Sequence, residues 1–286
     1  MRVRTMTPDP SSLSLALLGG GRMGREVARV ARARGHSIVL VVGGDGVGPD
    51  TPAPIPRLDS PEPLVRSGAR VAIDVSVAEA VEGHARHCAA AGVDLVVGTT
   101  GWEPRREAVI RSMEGSGIGL LEAPNFSLGV NLFFRIVAEA ARLMEGPGRE
   151  GEYDAVLHEA HHRHKVDHPG GTARRLAEIV VERLSTKERW SHELPPTGAI
   201  DPTTLQVGVT RAGEIPGTHT LSFEGPDDRI ELRHEARGRE GFARGAVIGA
   251  EWIRGRAGVF SMEDLLDAHD SSGSPDSPDR PRIEHP

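Results

Sequence analysis

The chain has 286 residues, which is enough for two domains of ordinary size around a buried core. Its 41 acidic and 34 basic residues are interspersed and give a net charge of −7, and only 3% of residues are aromatic, a pattern that argues against a nucleic-acid partner. The single cysteine, Cys88, excludes an intrachain disulfide and any site with several thiolate ligands, and no apolar run approaches the ~18 residues of a membrane helix. We therefore expect a globular protein of the cytoplasm with no membrane partner.

The first elements predict a βαβ unit. The apolar run Leu13–Leu18 indicates a buried strand, and it leads into a glycine turn, Gly19–Gly24. Apolar residues at helical spacing then continue to Gly35, and Ile38–Val42 is a second strand.

Three further strands follow, separated by helices. Residues 43–69 show no periodic element, Arg70–Val75 reads as a strand, and Ser76 with Glu79 matches a capping box before a helix that reaches about Ala91. Later elements are a strand at Val93–Val97, a helix near Glu103–Ser112 and a strand at Ile118–Leu121. Alternating strands and helices predict an α/β fold with a parallel, doubly wound sheet.

The second half has a different pattern, typical of an α+β domain. Three late runs between turns suggest an antiparallel set: Leu205–Thr210, Thr218–Phe223 and Arg229–Glu235. Before these runs we expect a helix at Asn131–Met144, a strand at Tyr153–His161 and a helix at Thr172–Leu184. After them we expect a helix at Phe242–Ile253 and a short helix from Ser261. The last residues, 271–286, contain no apolar pair and are predicted to be a disordered tail.

The glycine turn matches G-x-G-x-x-G through Gly19, Gly21 and Gly24. In that motif the first glycine permits a tight turn, the second lets the backbone approach a pyrophosphate, and the third lets the helix pack on the strand. A glycine-rich turn without a ligand is the alternative. An acid about 20 residues further on binds the adenine ribose in such sites, and Asp45 is the candidate here.

Five of the 13 histidines lie between His158 and His168, together with Lys165. One interpretation is a metal site, although H-E-x-x-H is absent, and another is a solvated loop. The third is an acid/base site for an anion, since histidine exchanges protons near neutral pH, Lys165 is a fixed cation, and Gly170-Gly171-Thr172 opens a helix with free amides. We favour the third, which predicts a small substrate with carboxylates.

Five blocks of sequence, in order, resemble those of the 4-hydroxy-tetrahydrodipicolinate reductase (dihydrodipicolinate reductase) family of lysine and diaminopimelate biosynthesis. They read GGGRMG, GTTGW, EAPNFSLGVN, EAHHRHKVDHPGGTA and RAGEIPGTHT. The resemblance implies a Rossmann-like dinucleotide-binding domain over 11–126, a substrate-binding and oligomerisation domain with an open mixed sheet over 127–241, and a helical segment, 242–270, that returns to the first domain. It also implies a homotetramer.

The resemblance further implies roles for individual residues. His161 would carry the proton, and Lys165 would be a second proton donor that also binds a carboxylate. His162, Gly171 and Thr172 would bind the substrate. The cofactor would be bound by the glycine turn, the loop after the strand Val93–Val97 and the residues joining the two domains: Gly19, Gly20, Gly21, Arg22, Met23, Gly24, Gly98, Thr99, Thr100, Ala123, Pro124, Asn125 and Phe126, with Asp45 as the ribose candidate.

The implied reaction is NAD(P)H-dependent reduction of 4-hydroxy-tetrahydrodipicolinate to tetrahydrodipicolinate with loss of water, without a metal. NADH is favoured over NADPH, because no Arg or Lys lies between Ile38 and Pro56 to meet a 2′-phosphate. The alternatives are another Rossmann-fold reductase of a small carboxylated substrate and a non-catalytic nucleotide sensor.

Overall fold

The structure, a computed structural model, describes residues 12–146 and 151–272. Its contacts divide the chain into two compact units, one containing the chain up to Pro124 and from Ala246 onward, the other Asn125–Gly245. The boundaries predicted after residues 126 and 241 lie within a few residues of these. Among the described residues, none of the helices has the length and apolar character needed to cross a membrane.

The first unit is built on a six-stranded sheet in the order β11-β5-β4-β3-β1-β2, with every pair parallel. The strands, numbered along the whole chain, are β1 Ser14–Leu18, β2 Ser37–Val42, β3 Val71–Asp74, β4 Asp94–Val97, β5 Gly119–Glu122 and β11 Gly258–Phe260. Its helices are α1 Arg22–Ala33, α2 Glu62–Ser67, α3 Ala78–Ala91, α4 Arg106–Met113 and α8 Met262–Ser272. Strands β3 and β4 are buried throughout, as expected where helices cover both faces of a parallel sheet. The predicted doubly wound sheet is confirmed.

The second unit holds a five-stranded sheet in the order β10-β9-β6-β8-β7. Its elements are α5 Leu128–Met144, β6 Asp154–His161, α6 Gly171–Arg183, β7 Arg189–Ser191, β8 Thr204–Arg211, β9 Thr218–Glu224 and β10 Arg229–Glu235, and the boundary after Gly245 falls inside α7 Glu240–Ile253. A core of hydrophobic side chains joins α5 and α6 to this sheet, with Leu157, Leu176 and Phe223 fully buried.

The structure corrects three expectations. Strand β8 pairs parallel with β6, so the three late strands are not one antiparallel set, and the sheet is mixed. The capping box is also wrong, because α3 begins at Ala78 and the Ser76 hydroxyl donates a hydrogen bond to Asp74 at 2.6 Å instead. Residues 43–69 do contain an element, the short helix α2. Of the tail predicted to be disordered, residues 271 and 272 end α8, and 273–286 lie outside the described residues.

Candidate active site

The glycine turn between β1 and α1 is packed so closely that most of it excludes side chains. A Cβ atom added to Gly24 would lie 1.9 Å from the Gly19 carbonyl oxygen, and Gly19 itself has a φ of +116°. Gly21 differs, since a Cβ there would meet nothing within 4 Å. It is the N-cap of α1 and offers no side-chain cap, so the first amides of the helix and the open space beside Gly21 suit an anion such as a pyrophosphate.

A second turn, at the end of β2, packs against the first. Gly43 and Gly44 both have positive φ angles, and a Cβ on Gly20 would lie 2.2 Å from the Gly43 carbonyl oxygen. The two turns therefore meet backbone to backbone, which explains why glycines stand after β2. Asp45 follows them and is exposed.

A cavity of about 750 Å³ opens beside these turns, within the usual size range for ligand sites. It is lined by Gly19–Gly21, the ends of β2 and β3, and one side of α3. Four of the lining residues carry full charges, two of them basic and two acidic: Arg57, Arg86, Asp59 and Glu79. Asp45 and Arg22 are exposed and are not among the described residues that line this cavity.

The loops after β3 and β4 are joined by Asp74, whose carboxylate is fully buried. Its Oδ1 accepts hydrogen bonds from the Ser76 amide at 3.0 Å and the Thr99 hydroxyl at 2.8 Å, and its Oδ2 lies 2.7 Å from His84 Nδ1. Thr99 is thus a buried support of the loop, whereas Thr100 is exposed and Gly98 is partly exposed.

Ala123 and Pro124 end the first stretch of unit one, and Asn125 and Phe126 begin unit two. The Phe126 ring is fully buried and packs edge-on against Phe242 at a centroid distance of 5.6 Å, so only its backbone can face a ligand. Asn125 donates from Nδ2 to the Thr172 hydroxyl at 3.3 Å, which ties it to the start of α6.

In the second unit the predicted acid/base residue His161 ends β6, two positions after Glu159. Side chains at i and i+2 point to the same face of a strand, and the register of β6 with β9 places His219 directly opposite Glu159. The Glu159 carboxylate is fully buried. Its Oε1 accepts hydrogen bonds from Arg211 at 2.6 Å and from the Gly170 amide at 2.9 Å.

The other oxygen, Glu159 Oε2, faces two imidazoles. It lies 3.8 Å from His161 Nε2 and 3.6 Å from His219 Nε2, beyond hydrogen-bond distance in both cases. Burial raises the pKa of Glu159, but the His219 side chain, Arg211 and the Gly170 amide lower it more strongly, to about 2. Burial, with the nearby Lys165 ammonium, lowers the pKa of His161 to about 4. The carboxylate is thus charged and the imidazole of His161 neutral at pH 7.

Lys165 lies in the loop between β6 and α6 and pairs with Asp167 at 2.6 Å. Its Nζ lies beside Gly170, where an added Cβ would approach it to 3.2 Å. Helix α6 begins after Gly170, whose N-cap position has no side chain to accept from the first amides. A Cβ on Gly171 would meet open space, and Thr172, also in the first turn, is half-buried. The ammonium and the free amides at the helix start therefore converge, and His162, partly buried beside His161, has a buried Nδ1 without a hydrogen-bond partner.

Sequence reasoning missed Glu159, His219 and Arg211 as parts of this cluster. The i, i+2 spacing of Glu159 and His161 on a predicted strand was a signal for the first. His219 and Arg211 belong to the RAGEIPGTHT block, but only the pairing of β6 with β8 and β9 brings them to Glu159.

Comparisons with known proteins match both halves of the chain to one family. The family model for the N-terminus of dihydrodipicolinate reductase matches residues 13–126, and that for its C-terminus matches residues 129–266. The chain is 38% identical over 275 residues to the 4-hydroxy-tetrahydrodipicolinate reductase of Laribacter hongkongensis, covering 90% of this chain and 98% of that protein. It is 40% identical over 263 residues to the enzyme of that name from Myxococcus xanthus, covering 86% and 94%.

The fold resembles a solved dipicolinate-bound dihydrodipicolinate reductase from Paenisporosarcina sp. TG-14. The TM-score is 0.71 at 22% identity, covering 89% of this chain and all of that one.

The low pKa of His161 can be measured directly. In the free protein we expect its imidazole to titrate near pH 4 by NMR, because burial and Lys165 disfavour the cation. The unfolded chain binds this proton near pH 6.5 and the folded chain does not, so His161 should lower the stability as the pH falls from about 6.5 towards 4. His161→Asn should make that loss smaller, and an imidazole that titrates near 6.5 would contradict the expectation.

Proposed function

The chain belongs to the dihydrodipicolinate reductase family and reduces 4-hydroxy-tetrahydrodipicolinate in lysine and diaminopimelate biosynthesis, and we propose which of its residues perform each step. The observation that carries the assignment is the convergence of the neutral His161, the Lys165 ammonium and the uncapped start of α6 on one small region. Such a region suits a small dicarboxylate that must receive a proton.

The first unit fits a nicotinamide dinucleotide. The pyrophosphate would lie at Gly19–Gly24, where Gly21 leaves space and the first amides of α1 are free. The adenosine would occupy the cavity beside α3. When bound, this cofactor supplies the hydride. Gly98, Thr100, Ala123, Pro124 and the backbone of Asn125 and Phe126 are proposed to contact its nicotinamide half.

The second unit would bind the substrate. Lys165 and the amides at Gly171 and Thr172 would bind one carboxylate, in the geometry that a helix start offers to an anion. His162 would donate to the other carboxylate. Fixing both carboxylates orients the ring, so that the same face always receives the hydride.

His161 would handle the proton. Loss of the 4-hydroxyl together with a proton of the neighbouring ring carbon, as water, would leave a C=C bond conjugated with the imine. Addition of hydride at C4 then moves an electron pair towards the imine nitrogen, and a proton must be added at the neighbouring carbon to restore the imine. In the free protein His161 is neutral. A dianionic substrate beside it would raise its pKa and favour the cation, which is the form that donates.

We further propose a homotetramer, as the family resemblance implies. An observation that supports association is the apolar surface of α5, where Leu132 and Ile136 lie one turn apart and are about half exposed.

The glycine turn offers a matched pair of variants. Gly21→Ala should fold normally, because its Cβ would enter open space, but should weaken NADH binding at least tenfold by filling the proposed pyrophosphate site. Gly24→Ala should instead lower the melting temperature, since its Cβ meets the Gly19 carbonyl. Fluorescence titration with NADH and thermal unfolding test both; unchanged NADH affinity in Gly21→Ala would place the pyrophosphate elsewhere.

Lys165→Ala should lower kcat/KM about 10²-fold, because the carboxylate loses its cation. NADH affinity should stay at the wild-type value, since the residues proposed to bind its pyrophosphate and adenosine lie in the first unit. Arg163→Ala, which removes an exposed cation two residues away, is the control and should retain activity. Equal activity of Lys165→Ala and the control would overturn the role of Lys165.

For the cofactor we propose a preference for NADH. A 2′-phosphate carries about two negative charges and needs uncompensated bases, but the cations of the cavity are balanced by its acids, with Arg57 3.5 Å from Asp59. Asp45 lies just beyond the β2 turn and would repel the phosphate. Steady-state kcat/KM with each cofactor should be higher for NADH. A preference for NADPH that is lost in Arg57→Ala would instead identify Arg57 as a phosphate ligand.

The assembly is tested by sedimentation equilibrium. A mass four times that of the 30.6 kDa chain is expected, and Ile136→Lys should lower it if the α5 surface takes part. A monomer at micromolar concentration would overturn the tetramer.

A further inference from the structure

Glu159, His161 and His219 together form a set of donors that sequence spacing did not reveal. One ligand atom from each residue can be chosen so that all three lie within 4.8 Å of one another. Two of the residues are almost fully buried, and His161 is partly exposed. The donors sit on two adjacent strands, β6 and β9, and are therefore held by the hydrogen-bonded ladder rather than by a loop.

Several atoms of this cluster are buried without a hydrogen-bond partner. They are Glu159 Oε2 and both ring nitrogens of His219. A buried polar atom without a partner normally costs about 1–3 kcal/mol, and a metal ion bound by these atoms would remove that cost.

The geometry is close to that of a bound metal. Tetrahedral Zn²⁺, with bonds of about 2.0–2.2 Å, places its ligand atoms roughly 3.3–3.5 Å apart. The distances from Glu159 Oε2 to the two imidazole Nε2 atoms are 3.6 and 3.8 Å. All three donor atoms lie within 4.8 Å of one another, so side-chain rotations could bring them to one ion and leave a fourth position for water beside the partly exposed His161.

The charges around the cluster are already paired. Arg211 bonds to the other oxygen of Glu159, and Lys165 pairs with Asp167. His164 and Glu214, both exposed, lie 3.6 Å apart beside this region. An ion at the cluster would therefore meet one uncommitted carboxylate oxygen and two imidazoles, which selects Zn²⁺ and similar transition metals over Mg²⁺ or Ca²⁺.

We propose that Glu159, His161 and His219 form an inhibitory Zn²⁺ site. The metal would coordinate the imidazole of His161 and thereby prevent that ring from exchanging a proton with the substrate. The reaction itself uses no metal in this scheme. The inhibition rests on the proposed role of His161, whereas binding of the metal does not.

The decisive measurement is isothermal titration calorimetry of the untagged full chain with ZnCl₂, alongside reductase assays. We expect one Zn²⁺ per chain, inhibition that EDTA reverses, and no effect of Mg²⁺. His219→Asn and His161→Asn should each weaken Zn²⁺ binding at least tenfold, and circular dichroism checks that both variants are folded.

His158→Asn is the matched control. His158 directly precedes Glu159 on β6 and points to the opposite face of the sheet, where its Nε2 lies 3.0 Å from the Thr210 hydroxyl. Its replacement should leave Zn²⁺ binding and activity unchanged. Absence of Zn²⁺ binding, or binding that neither His219→Asn nor His161→Asn weakens, would overturn the site. Binding at the cluster without inhibition would retain the metal site but reject its regulatory effect and the role of His161 together.

Discussion

The proposed site of the second unit depends on the hydrogen bonds that the buried carboxylate of Glu159 accepts. One of its oxygens fixes two separate parts of the chain, since it accepts from Arg211 at the end of β8 and from the amide of Gly170 at the start of α6. The loop that carries Lys165 is thereby anchored at the end where it meets the helix. Removing one partner of a buried ion pair typically costs about 3–5 kcal/mol, so this carboxylate can hold a loop that has little apolar packing of its own.

The second oxygen of Glu159 has a different effect, because it lies near His161 without hydrogen bonding to it. Its negative charge opposes the lowering of the His161 pKa by burial and by Lys165, but does not overcome it. In the free protein, the neutral imidazole of His161 therefore lies near the ammonium of Lys165. In the proposed mechanism a bound dicarboxylate would reverse this balance, since its charges would neutralise Lys165 and favour the imidazolium. The proposed proton donor would then be charged only when the substrate is present.

The elements of the first unit could be predicted because buried parallel strands are continuous apolar runs and glycines end them. The same local signals misled at Ser76, where a serine three residues before a glutamate suggested a cap. The Ser76 hydroxyl instead donates a hydrogen bond to the buried carboxylate of Asp74, which also binds Thr99 and His84. Nothing local in the sequence indicates that this carboxylate needs all three partners. Similarly, His161 and Lys165 could be proposed as site residues from their segment, but His219 is 58 residues from His161 and meets Glu159 only through strand pairing.

The helices that start at the two proposed anion sites share a feature that α5 lacks. Helix α5 begins with Ser127, whose hydroxyl accepts from the Val130 amide at 3.4 Å, so its first turn is partly satisfied internally. Helices α1 and α6 begin with Gly21 and Gly170, which have no side chain to accept from those amides. Glycine at this position costs only a few tenths of a kcal/mol relative to serine. For that small loss, each helix keeps its free amides and the positive end of its dipole for an external anion, and Gly21 also leaves the approach unobstructed. The two units, different in topology, would therefore bind their proposed anions through the same backbone feature, an uncapped helix start at a glycine.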